Sequence, residues 1–188
     1  MLTALEASPH ARNTMIVLWS DHGFHLGEKS HWEKRSLWDR STRVPLIVAR
    51  PGETRRATRS PRPVGLVDLY PTLVELCGLP ARAGLDGRSL VPLLREPQRA
   101  WPFAAISTQM PGNHSVRTDA WRHIRYANGD EELYAHPADP HELRNLAPDP
   151  RHAGVKQGLA RWLPTADAPS GPRLPKGPNE FEFDWKRP

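Results

Sequence analysis

The 188-residue chain contains one cysteine, and that scarcity excludes two classes at once. Cys77 alone can build neither an internal disulfide framework nor a multi-cysteine zinc or iron–sulfur centre. Long apolar runs are missing too. No stretch approaches the roughly 18 residues of a membrane-spanning helix. The first eleven residues lack a basic segment, an apolar segment and a small-residue cleavage site, so no secretory signal is expected at this start. Acids are outnumbered, 21 against 26 basic residues, giving a net charge of +5. Hydrophobic residues at 38% and charged residues at 25% are nevertheless globular composition, not that of a disordered chain.

Arginine supplies 21 of the 26 basic residues. Its planar fork suits carboxylate, phosphate and sulfate. Five arginines (Arg50, Arg55, Arg56, Arg59, Arg62) crowd one short stretch against a single acid, Glu53. Such a run reads either as an anion or nucleic-acid patch or as a solvated Arg/Pro loop. No aromatic interleaves with it, which favours the loop over a nucleic-acid partner.

Five apolar residues at 15–19 read as a strand buried on both faces, as in a parallel sheet. Residues 44–49 read as a second such strand. A helix is expected over 67–76, with Asp68 as N-cap, Leu69, Leu73, Leu76 and Leu79 as its buried stripe, and Cys77 as a small core residue. Further helices are expected over 1–8, 89–95 and 155–163. Between 103 and 134, short segments separated by turns read as an antiparallel sheet, with Asn128-Gly129 as a hairpin signal. The pattern therefore predicts an α/β unit over 1–100, a small antiparallel subdomain with a helix over 101–163, and a Pro-rich tail over 164–188.

Two clusters carry chemistry. In Ser20-Asp21-His22-Gly23, a carboxylate and an imidazole stand side by side just past a buried strand. This is where open α/β sheets bind ligands. Asp21 offers a hard oxygen for a divalent cation and His22 a borderline ligand or proton donor; a plain turn capped by Asp21 fits the spacing equally well. Lys29, His31 and Lys34 follow within 13 residues, close enough for one loop to fold its cations over Asp21. They read as neutralisers of a tetrahedral oxyanion or as an ordinary surface loop.

Taken together, the run from Ile16 to Pro51 resembles the second active-site segment of the sulfatase family, in the alkaline-phosphatase-like superfamily. Within it the run is most similar to the iduronate-2-sulfatase and choline-sulfatase-like group. The likeness continues through Asp68-Leu69-Tyr70-Pro71-Thr72-Leu73, Gly84-Leu85-Asp86-Gly87-Arg88-Ser89-Leu90, Val116-Arg117-Thr118 and Glu132-Leu133-Tyr134, to Asn145-Leu146. It implies a partial alkaline-phosphatase-like sandwich with a mostly parallel sheet, followed by a small antiparallel sheet and a C-terminal helix.

The resemblance also implies roles. Asp21, with His22, would ligate a single divalent cation, normally Ca2+. Lys34 would grip the sulfate group with His22 beside it, and Lys29, His31 and His114 would contact substrate. His114 reads equally well as a loop histidine. The family's nucleophile is a formylglycine made within Cys-x-Pro-x-Arg or Ser-x-Pro-x-Arg, and neither motif occurs in these 188 residues. Cys77-Gly78-Leu79-Pro80-Ala81-Arg82 is one residue too long. The expectation is a C-terminal portion of a sulfatase, inactive alone and partnered by a missing N-terminal half. Its substrate would be a sulfated small molecule or glycan. A phosphonate or phosphate ester hydrolase of the same superfamily and a non-catalytic anion-binding module are the alternatives.

Overall fold

The computed structural model describes residues 1–51 and 58–167. Arg55 and Arg56, and nearly all of the 164–188 tail, lie outside the described residues. The element order is α1 (Leu2–Glu6), β1 (Ile16–Trp19), α2 (Asp39–Thr42), β2 (Leu46–Ala49), α3 (Leu69–Leu76), α4 (Val91–Arg95), β3 (Ala105–Thr108), β4 (His114–Arg117), β5 (Trp121–Arg125), β6 (Glu131–Ala135) and α5 (Ala153–Ala160). None of the described helices is long and apolar enough to cross a membrane.

Strands β1 and β2 pair with each other, and they do so antiparallel, Leu18 opposite Ile47. The expected mostly parallel sheet is thus not seen in this pair. A doubly apolar strand reads the same in either direction, so its sequence carries no orientation. Leu18, Trp19 and Ile47 are each about half exposed within the chain. A two-stranded sheet with an open apolar face is marginal by itself.

The motif around α3 is held by buried side-chain caps. Asp68 Oδ2 accepts the Gly65 N–H at 2.9 Å, and Oδ1 accepts the Arg88 N–H at 2.8 Å. Thr72 Oγ1 donates to the Asp68 carbonyl and accepts the Leu90 N–H. These bonds fasten residues 88–90 to the start of the helix. Gly87 passes so close to Val67 that a Cβ would lie 2.1 Å from its carbonyl oxygen. Leu76, Leu90, Val91 and Leu93 are each buried, but Leu79 and Cys77 are exposed. The α3 stripe ends at Leu76 because the chain turns at Gly78, whose φ is +63°.

Strands β3 to β6 form the expected antiparallel sheet in sequence order. Gly129, with φ +91°, makes the β5–β6 hairpin, and Asn128 Oδ1 accepts the Asp130 N–H. The sheet has two covered faces. On one, Val116 and Leu133 pack with Leu159 and Leu163 from α5 and the residues just after it. On the other, Ile124 and Tyr134 pack with Leu37, and Trp38 joins them. The second contact brings residues 20–43, the chemistry-bearing loop, onto the sheet.

Candidate active site

Residues 20–43 leave β1 and return to β2 through a narrow, hairpin-like loop. His25 N–H donates to the Glu33 carbonyl and Gly27 N–H to the His31 carbonyl. The loop's base is closed by Gly23 N–H on the Ser41 carbonyl at 2.8 Å. Glycine is required there, since a Cβ on residue 23 would stand 2.0 Å from the Arg40 carbonyl oxygen. His25 is fully buried inside the loop, bonded to Ser36 Oγ at 3.0 Å and edge-on to His31 and Trp38. Burial lowers its pKa.

This path joins three of the residues singled out in the sequence. His22 Nδ1 lies 2.8 Å from the Gly23 carbonyl, which can only accept, so Nδ1 carries the proton. Nε2 then presents its lone pair, and Lys34 Nζ donates to it at 2.7 Å. Asp21 Oδ2 stands 3.5 Å from the same nitrogen, with its side chain 80% exposed. A carboxylate, an imidazole lone pair and an ammonium thus converge at the surface, just past β1.

The other three residues lie elsewhere. Lys29 Nζ donates to Tyr134 Oη at 2.8 Å and to the Glu142 carbonyl at 2.6 Å. Burial lowers its pKa, against the opposing pull of Glu132, Glu142 and Asp139. His31 packs edge-on against His25 and Trp38, and its buried Nε2 has no partner in the described structure. His114 is buried in β4, with Nδ1 2.9 Å from Thr108 Oγ1 and Nε2 3.4 Å from Asp167. Strand alternation puts it on the α5 side of the sheet, opposite the face that carries the loop.

A buried polar network escapes sequence reasoning. Arg122 Nε donates to Glu142 Oε1 at 2.5 Å, Nη2 to Asp39 Oδ1 at 2.9 Å, and Nη1 to Ser115 Oγ and the Leu37 carbonyl. Glu142 also accepts from His136 Nε2 and from the Asp39 N–H. Burial pushes the Glu142 carboxyl up, but the bonds from His136, Arg122 and Asp39 outweigh it and hold it below its ordinary value. Asp39, His136 and Glu142 group their ligand atoms within 4.8 Å. The guanidinium already bonds both carboxylates, so a cation there would meet a positive charge, and the cluster fits Arg122 rather than a metal. These residues are separated by up to about 100 positions, and no local spacing announces them.

The 142 residues 27–168 match the family model described as N-sulphoglucosamine sulphohydrolase, C-terminal. A sulfatase of Formosa agariphila is 39% identical over 168 residues, covering 89% of this chain and 33% of its own length. A choline-sulfatase of Rhizobium meliloti is 36% identical over 146 residues, 74% of this chain and 28% of that one. Among solved structures, an enzyme in complex with its substrate D-glucosamine-2-N,6-O-disulfate superposes with TM-score 0.72 at 26% identity, covering 85% of this chain and 35% of that one. A phosphonate monoester hydrolase of Agrobacterium radiobacter superposes with TM-score 0.68 at 28% identity, over 85% and 36% of the two chains. The chain spans about a third of the length of the curated relatives it matches.

Proposed function

Since the chain belongs to the sulfatase family, we propose that it supplies one wall of a sulfate-ester hydrolysis site, built on Asp21, His22 and Lys34. The convergence of these three side chains on one loop, in a chain whose residues 27–168 match the family, carries the reading. The nucleophile and the remaining ligands would come from the part of the relatives' length that these residues do not span. The substrate would be a sulfated sugar or small molecule, as the disulfated glucosamine bound by one relative suggests.

Lys34 would face the sulfate oxygens. Its ammonium is a compact point charge on an exposed stem, suited to following oxygens that gain negative charge as the ester bond breaks. His22 would hold it in place: the ring is fixed at Nδ1 by Gly23, so Nε2 points at Lys34. Asp21 offers the hard oxygen that Ca2+ prefers, whereas the imidazole is an unusual calcium ligand. Calcium takes about six to eight oxygens, so Asp21 would be one ligand of several, with His22 at most a neighbour. When bound, such an ion would help neutralise the charge developing on the sulfate oxygens.

The half-exposed Leu18, Trp19 and Ile47 support a covering partner for β1 and β2, the N-terminal portion of a sulfatase. Alone, the chain is expected to turn over no chromogenic aryl sulfate. Fused in place of the matching third of the Formosa agariphila sulfatase, it is expected to restore turnover. Robust hydrolysis by the isolated chain would overturn the reading. The phosphonate monoester hydrolase neighbour supports a second reading, because phosphonate and sulfate esters present similar tetrahedral anions. Faster hydrolysis of an aryl phosphonate than of the aryl sulfate by the chimaera would favour it.

A further inference from the structure

We propose that Lys29 is a positioning residue of this site: its half-buried ammonium fastens the loop carrying His22 and Lys34 to the four-stranded sheet, and so fixes where those two side chains stand. The inference rests on the proposed site for its importance, but its geometry is independent of substrate. Residues 25–33 form a hairpin-like strip with Lys29 near its tip. The base of that strip holds His22 on one side and Lys34 on the other. The base is closed by Gly23 and Ser41, and the tip by Lys29 alone among the loop's lysines.

The tip contact is unusually complete. Lys29 Nζ bonds Tyr134 Oη and the Glu142 carbonyl, and sits 4.5 Å over the Trp38 ring and 4.6 Å over the Tyr134 ring. Tyr134 Oη passes the interaction on by donating to Glu132 Oε2 at 2.5 Å, which also accepts from Trp38 Nε1 at 2.6 Å. One acidic side chain therefore ties the lysine's phenol and the loop's tryptophan to β6. A lysine with its donors committed in this way is not free to reach a substrate.

Backbone strain points to the same contact. Lys29 (φ 56°), Ser30 (φ 57°) and Glu142 (φ 55°) are non-glycine residues in the left-handed region. Two of the three are the partners of one hydrogen bond, Lys29 Nζ to Glu142 O. Residues held in such conformations persist only where their surroundings over-determine them. Without the ammonium, the two turns lose the bond that joins them, and the strip is free to swing at its tip.

The test uses the 188-residue chain labelled with 15N-histidine, in wild-type form and as Lys29→Met, Lys29→Arg and Tyr134→Phe. Wild type should show His22 as a single tautomer, protonated at Nδ1. Lys29→Met and Tyr134→Phe should shift the His22 ring nitrogens toward a mixed-tautomer average. The His123 signals, from the far face of the sheet, should stay in place. Lys29→Arg, which keeps a cation and its donors, should restore the wild-type His22 signal. Unchanged His22 signals in both Lys29→Met and Tyr134→Phe overturn the proposal. So does a parallel shift of His22 and His123, which would mark general loosening. Should Lys29→Met fail to fold, Tyr134→Phe decides by the same criterion. Failure of the sulfatase reading shows separately, in the hydrolysis assay.

Discussion

Replacing Arg122 with methionine attacks the network that seats residues 20–43 on the sheet. Arg122 is 2% exposed and Glu142 1%. The substitution keeps an apolar stem of similar length and removes the guanidinium. Glu142 then retains His136 and the Asp39 N–H, but loses the cation at 2.5 Å. Asp39 Oδ1 and the Leu37 carbonyl lose their donors as well. Removing one member of a buried ion pair typically costs about 3–5 kcal/mol. That is a large share of the roughly 5–15 kcal/mol that holds a domain folded. Urea unfolding followed by tryptophan fluorescence should show the midpoint fall with little change in slope. Adding Glu142→Gln to Arg122→Met should recover part of the loss, because no uncompensated carboxylate stays buried. A loss under about 1 kcal/mol, the range of exposed pairs, or strict additivity in the double variant, would refute the reasoning.

Glu142 also sets an acid arm of stability. Its folded pKa lies below the ordinary 4.5, so its contribution is present above that value and disappears as pH falls through the lower folded one. Thermal unfolding between pH 6 and 3 should show this dependence, and Glu142→Gln should flatten it. Burial lowers the His123 pKa, so protonation favours unfolding and stability should fall as pH drops below about 6.5. A histidine that titrates normally in the folded chain, read by NMR, would contradict that. Gly23→Ala should cost about 1–3 kcal/mol by overpacking, since its Cβ meets the Arg40 carbonyl at 2.0 Å; an unchanged melting temperature would show that the loop base shifts freely. Leu133→Ala, at a fully buried position between β6 and α5, should cost about 2–5 kcal/mol in urea unfolding.

Local signals were legible where local physics decides. The apolar run at 15–19, the helix ahead of Gly78 and the Asn128-Gly129 hairpin all stand where pattern and turn chemistry put them. The direction of β1 against β2 was not legible, because an apolar strand does not encode its neighbour's orientation. The charges of the loop 20–43 are plain in the sequence, and Asp21, His22 and Lys34 do meet. Lys29 carries the same charge, yet its side chain turns inward to Tyr134 and Glu142. Nothing in the eight residues around it distinguishes it from Lys34, since its partners lie more than 100 positions away. Cys77 sits at a helix end where an extension of the stripe would have buried it, but the turn at Gly78 exposes it. Arg62, one of the five crowded arginines, pairs with Asp119 and the carbonyls of Gln98 and Arg99 within the chain rather than with an anion from outside it.

The proposed role of Lys34 is tested most directly by the rate of aryl sulfate hydrolysis by the Formosa agariphila chimaera, with and without Lys34→Ala. An ammonium aimed at developing charge is worth about 10²–10³ in kcat. Lys34→Ala is expected to lower the rate by that factor with the fold intact. A Lys34→Ala chimaera that hydrolyses the ester at the parent rate would contradict it.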